Sequence, residues 1–347
     1  MSDIKISKTK MKVESKIYGF DYLRSIACIF VVAFHCSPIP MNFILGKVMH
    51  VFLFASAVPI FIIISLFLTE LKGFGYKYVF NKSLRIGKIY FLWGWLIPLC
   101  LYTVQKFFFI LPDKVNISQV NYGLYGFLVN GLNWPLKVHG IYFLVFLIAL
   151  IWIYFLVKPY INSYKKALFF LFIGIIVNMS TPFFPDRFQI LRESLLPFLI
   201  YIPLVKTLYW DYKFGCNYFN KILCFFLLYI FFSVIEGIFI ITENDFFLSF
   251  HYSPYGRLSI VFLAMSLVYG FLKLNYKPSK TPQIIKVISD YSLGIYLIHG
   301  FMLDFIFLYF QNSSLFVAIY FLLIFLLSWF LSFIIKTVPY LKRVLIL

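Results

Sequence analysis

The stretch Tyr18–Pro40, YGFDYLRSIACIFVVAFHCSPIP, opens on Asp21 and Arg24, runs apolar, and reaches His35 shortly before two prolines. A charged or titratable residue at each end of an otherwise apolar helix is costly in lipid and calls for a reason. Arg24 and His35 are eleven residues apart, close to three full turns, so they share one face and stand roughly 16 Å apart along the axis. One face of the first helix therefore carries a cation near one end and an imidazole near the other. Chemistry is expected there.

The rest of the chain sets this stretch in a membrane. Of 347 residues, 62% are hydrophobic and 13% charged, with mean hydropathy +0.91. A soluble domain carries about 25% charged residues, so the composition is that of a polytopic membrane protein. Ten apolar runs of spanning length lie near 18–38, 48–69, 86–105, 140–157, 167–182, 194–210, 222–241, 257–273, 290–310 and 315–336. The expected fold is an all-α integral membrane protein with about ten transmembrane helices. It divides into a basic cytoplasmic N-terminal segment (1–17), a polytopic membrane domain (18–340) and a short cytoplasmic tail (341–347). Met1 to Lys16 is polar and basic and resembles no cleaved signal peptide.

The net charge of +18 would suggest nucleic acid in a soluble protein. Here the basic residues fall in short loops. With the N-terminus inside, Lys5 to Lys16 with Arg24, Lys72 to Lys88, Lys158 to Lys166, Lys206 to Lys221, Lys273 to Lys286 and Lys336 to Arg343 gather on one side. Only Lys47, Lys106, Lys114, Lys137, Arg187, Arg192 and Arg257 fall on the other. That asymmetry places both termini in the cytoplasm, consistent with an even number of spans, and leaves no nucleic-acid platform. Cys28, Cys36, Cys100, Cys216 and Cys224 form no CxxC pair and have no His at ligand spacing, so neither a disulfide frame nor a metal site is expected.

Several residues invite a functional reading beside a structural one. His35 suits a general base, or it is an interfacial His bonded to a carbonyl or water. Asp21 and Arg24 form a local pair at the helix end or hold a ligand. Lys82, Arg85 and Lys88, in NKSLRIGKIY, suit the phosphates of a nucleotide-like molecule, or they anchor the third span. Ser292, Tyr296 and His299, spaced i, i+4, i+7 in YSLGIYLIHGF, project from one side of the ninth span. They line a wet cavity or form an interhelical seam. Glu236 lies in the apolar run FFSVIEGIFI, where it orients a His, pairs with Arg257, or stands as a lone buried acid. His139, at the start of the fourth span, lines the same cavity in the functional reading.

These motifs resemble a known family. DYLRSIACIFVVAFH is similar to the opening signature of the acyltransferase-3 family, polytopic membrane acyltransferases of bacterial surface carbohydrates. AVPIFIIISLFL resembles their second helix, NKSLRI the basic start of their third, HGIYFLVFLI their fourth, and ISDYSLGIYLIHGF their late motif. The family's paired Arg falls on Lys82 and Arg85; lysine keeps the charge but loses the bidentate fork.

The resemblance implies an enzyme of the bacterial cytoplasmic membrane. It would move an acyl group, usually acetyl from acetyl-CoA, to a sugar hydroxyl of O-antigen, capsule or exopolysaccharide, or of a lipid-linked precursor. It marks His35 and Arg24 as catalytic and Lys82, Arg85 and Lys88 as the donor site. No fused hydrolase-like domain is expected, so transfer would be completed within the bundle or by a separate partner protein. The competing class is a carrier or polymerase of polysaccharide precursors, which needs neither a donor-phosphate site nor the Arg24/His35 pair.

Overall fold

The computed structural model describes residues 17–36, 44–73, 75–96, 143–180, 196–241, 257–274, 281–310 and 317–340. The N-terminal segment before residue 17, the tail from 341, Cys100, His139 and most of the outer loops, with His251, lie outside the described residues. Among the described residues, ten α-helices of fourteen residues or more carry the fold: α1 (Gly19–Cys36), α2 (Ala57–Leu71), α3 (Tyr76–Phe91), α4 (Phe143–Val157), α5 (Tyr164–Ser180), α6 (Tyr201–Phe214), α7 (Tyr218–Ile241), α8 (Leu258–Leu274), α9 (Gln283–Phe310) and α10 (Val317–Thr337). Short turns join some of them, and the described residues contain no strand.

Each apolar run of the sequence overlaps one helix, but the boundaries differ where polar residues are helical. α3 begins at Tyr76, ten residues before its apolar run, because YKYVFNKSLRIGKIYF is amphipathic and buries Val79, Ile86 and Ile89 on one face. α9 starts at Gln283 for the same reason: hydropathy marks where lipid begins, not where a helix does. The second run is not one α-helix. A π-helical turn (Met49–Leu53) and a 3-10 turn (Phe54–Ser56) precede α2. Pro59 explains the break, because it has no N–H to give the carbonyl four residues back.

Among the described residues, four helices are long and apolar enough to cross a membrane: Gly19–Cys36, Met49–Leu71, Tyr218–Ile238 and Ile319–Thr337. The first two are mostly buried, whereas only 11% and 17% of the apolar windows of the last two are buried. On α7 the exposed side chains Leu223, Phe226, Leu227, Ile230, Val234 and Ile238 recur at the helical period. A continuous apolar stripe of that kind faces lipid, not water. The chain is a membrane protein.

α1 is the hub, packed against α2, α8, α9 and α10. At its start, α1 meets α8 backbone to backbone. A Cβ at Gly19 would overlap the carbonyl of Phe271, so only glycine permits this approach. Alongside, Tyr22 stacks on Phe271 at 5.9 Å. Leu23, Ala27, Cys28 and Val32 of α1 are fully buried, so nothing on this helix face moves without disturbing the core.

Candidate active site

α1 and α9 run parallel. Near the start of α1, Ser25 donates through Oγ to the carbonyl of Ile285 at 2.9 Å, and Ser289 donates to Asp21 Oδ1 at 3.2 Å. Further along, the thiol of Cys28 meets the carbonyl of Ser292 at 3.9 Å. Seven residues on in each helix, two full turns, the rings of His35 and His299 lie 5.1 Å apart at 45°. The equal advance fixes the register and brings the two histidines together at the far end of the seam.

The His35 end is aromatic. His299 is fully buried, and its Nδ1 stands 2.6 Å from the carbonyl of Tyr296. The Tyr296 ring lies 5.7 Å from His299 and packs edge-on to Phe61 of α2 at 6.3 Å. Phe34 meets His35 at 5.4 Å and stacks on His50 at 4.4 Å, which brings a third imidazole to this end. His35 itself is half-buried, so it can be reached. Ser292, by contrast, donates to the carbonyl of Ser289 at 2.8 Å and sits two turns away from the histidine pair.

Arg24 is three turns back along α1. Its guanidinium is half-exposed and lies 3.9 Å from Asp21 Oδ1. Asp21, 3% exposed, is therefore shared between Arg24 and Ser289, which orients the arginine without covering it. The eleven-residue spacing puts Arg24 on the face that His35 occupies three turns on.

The three cations of α3 do not act alike. Lys82 turns onto α2, donating to the carbonyl and hydroxyl of Ser65, both at 2.9 Å, and to the Thr69 hydroxyl. Its three hydrogens are thus taken up in pinning α3 to α2. Burial, reinforced by nearby Lys72, pushes the Lys82 ammonium down to about 8. Arg85 and Lys88 are exposed. Lys88 borders an apolar groove of about 560 Å³ walled by Phe80, Leu84 and Phe91 of α3 and Trp152 of α4.

Glu236 belongs to a different contact. Its carboxylate accepts from the Ser259 N–H at 3.2 Å and from the Ser259 hydroxyl, tying α7 to α8. His139 lies outside the described residues, so its place relative to His35 is not described. Among the described residues, no group of three or more His, Cys, Asp or Glu could hold a metal ion.

A buried ionic cluster escaped the sequence reading, which placed Lys158, Lys206 and Lys221 among cytoplasmic loop cations. Lys206 of α6 is only 4% exposed and its Nζ meets Glu70 Oε1 of α2 at 2.8 Å. Lys158, beyond α4, reaches Glu70 Oε2 at 3.5 Å, and Lys206 lies over the Tyr154 and Tyr209 rings at 5.8 and 5.6 Å. Beside them Asp211 accepts from Tyr269 at 2.6 Å and pairs with Lys221 at 3.1 Å. The signal was present: Lys206 interrupts the apolar run YIPLVKTL, and a lysine that cannot leave such a run needs a carboxylate. Nothing in the sequence said which one.

Helices buried in one another, lipid-facing helices around them and a reachable imidazole joined by two others define a polytopic membrane protein with a built polar site. A family model described as "Acyltransferase domain", Acyl_transf_3, matches residues 17–336, and the chain belongs to that family. It is an acyltransferase. No curated protein and no solved structure matches it.

Proposed function

We propose that the protein transfers an acyl group, most simply acetyl, from a cytoplasmic coenzyme A thioester to a sugar hydroxyl of a bacterial surface polysaccharide or its lipid-linked precursor. In this reading ten spans cross the cytoplasmic membrane, with both termini inside. The observation that carries it is the placement of Arg24 and His35 on one helix. They are separated by about 16 Å, with a reachable cation at one end and a half-buried imidazole at the other. A donor that bridges them must hold its anionic head far from its acyl carbon on a narrow arm. A coenzyme A thioester has that shape.

Arg24 then holds donor charge at the α1 N-terminal end, with Arg85 and Lys88 exposed to help and Lys82 setting the position of α3. At the other end His35 removes the proton from the acceptor hydroxyl as its oxygen attacks the thioester carbon. The C–O bond forms and the C–S bond breaks. The proton on His35 passes to the leaving thiolate, and His35 is restored. Arg24, three turns away, binds and orients but does not touch the reacting carbon. Tyr296 and His299 complete the polar wall beside His35.

The test is the ester content of the host's surface glycan, read by mass spectrometry before and after mild alkali. Strains with and without the wild-type protein are compared. An alkali-labile acetyl increment only in the strain with the protein is the expected result. Glycans of identical mass in the two strains, with the protein inserted, overturn the reading.

A further inference from the structure

The apolar groove between α3 and α4 takes no part in the proposed transfer. Its volume, about 560 Å³, lies within the roughly 300–1,000 Å³ of ordinary ligand sites. Phe80, Leu84 and Phe91, all exposed, wall it from α3, and Trp152 closes it from α4. Its floor is open at Gly87, where a Cβ would meet nothing within 4 Å. Near the start of α3, Trp152 meets Tyr76 edge-on at 5.9 Å, the kind of aromatic pair that gathers at the level of lipid headgroups.

Two polar side chains of α3 border the groove. Among the described residues, Lys88 is its one charged neighbour, and Ser83 has a buried Oγ with no hydrogen-bond partner. Lys88 stands six residues beyond Lys82, which turns it about 120° around the helix from the side that Lys82 pins to α2. It also stands just inside the apolar run that begins near 86. A helical side chain leans back toward the N-terminus, so the Lys88 amine reaches along the groove toward the headgroup level.

We propose that this groove binds an anionic phospholipid, with an acyl chain along Leu84, Gly87 and Phe91 and the phosphate on Lys88. A long apolar trough with one cation at its edge matches a molecule with a long apolar tail and one anionic head. A soluble phosphate leaves the trough empty, and a zwitterionic lipid brings its own cation to Lys88. The His35 end is built by α1, α2 and α9, so this lipid is not the acyl acceptor. With Lys88 on the lipid, donor charge falls to Arg24 and Arg85. The site goes beyond the acyl-transfer reading and is tested by binding, without turnover.

Full-length protein in detergent is titrated with phosphatidylglycerol or phosphatidylcholine and read by native mass spectrometry. Wild type should retain one phosphatidylglycerol more tightly than phosphatidylcholine. Lys88→Gln should weaken phosphatidylglycerol about fivefold or more and leave phosphatidylcholine unchanged. Gly87→Leu fills the floor and keeps the cation; it should weaken both lipids about tenfold or more. Leucine favours a helix over glycine, so this variant is expected to fold. Equal affinities of wild type for the two lipids, or wild-type affinity for phosphatidylglycerol in either variant, overturn the proposal. So does displacement of the lipid by an equal concentration of glycerol phosphate, which would mark a site for free phosphate.

The occupant is identified without either variant. Benzoylphenylalanine in place of Leu84 is photocrosslinked in nanodiscs that contain both lipids. A phosphatidylglycerol adduct is expected. Adducts only to a second copy of the chain, or to residues 97–142 of its own, put a protein segment in the groove and overturn the lipid.

Discussion

In Glu70→Leu, the Lys206 ammonium stays buried with its 2.8 Å carboxylate partner gone and the rings of Tyr154 and Tyr209 beside it. Removing one partner of a buried pair costs about 3–5 kcal/mol, because the remaining charge is left uncompensated. In Lys206→Met the stranded group is Glu70, but Lys158 still reaches its other oxygen at 3.5 Å. That loss should be smaller, about 2 kcal/mol. When both residues become apolar no buried charge is stranded, since Lys158, about a third exposed, keeps water in place of Glu70, and the double variant should lie within about 1 kcal/mol of wild type.

At about 2 °C per kcal/mol, melting should fall by roughly 8 °C for Glu70→Leu and 4 °C for Lys206→Met, and should stay within about 2 °C of wild type for the pair. The assay is thermal unfolding of purified protein followed by a thiol-specific dye, since Cys28 is fully buried and reports loss of the core. Additive losses in the double variant would falsify the coupling. A larger loss for Lys206→Met than for Glu70→Leu would contradict the part assigned to Lys158.

Gly19→Ala should lower stability by about 1–3 kcal/mol, because its Cβ forces α1 away from the Phe271 carbonyl; wild-type melting for the folded variant would refute that contact. Lys82 gives a pH dependence. Its folded value near 8 lies below the ordinary 10.5, so between these values the unfolded chain binds more protons and stability rises with pH. In Lys82→Arg, which does not titrate there, this rise should be absent, and an unchanged melting-versus-pH curve counts against the buried ammonium. Arg24→Gln should raise KM for the thioester donor about tenfold or more while changing kcat little. A loss confined to kcat would move Arg24 from donor binding to chemistry.

The sequence made the bundle legible because lipid imposes a simple rule: long apolar runs become helices, and α1, α4, α7, α8 and α10 follow theirs closely. Where polar residues are helical the rule fails, and α3 and α9 extend well beyond their apolar runs. The seam of α1 with α9 was half legible. The i, i+4, i+7 spacing placed Ser292, Tyr296 and His299 on one side of α9, but register against α1 is a property of packing, and only packing pairs His299 with His35 and leaves Ser292 two turns back. Lys82, Arg85 and Lys88 read alike as a basic ladder. Their roles separate because each step of three advances the helix by less than a full turn, so Lys82 faces α2 while Arg85 and Lys88 do not. The Glu70–Lys206 pair was hidden because its partners are 136 residues apart.

The central claim is that His35 is the base of an acyl transfer, and its most direct test is a rate. Thiol release from acetyl-CoA in the presence of acceptor glycan would be followed for wild type and His35→Ala in nanodiscs, after matching their melting temperatures. The account predicts that the acceptor-dependent rate falls by about 10²–10⁴ in His35→Ala while the protein stays folded. An acceptor-dependent rate within a few-fold of wild type would contradict it.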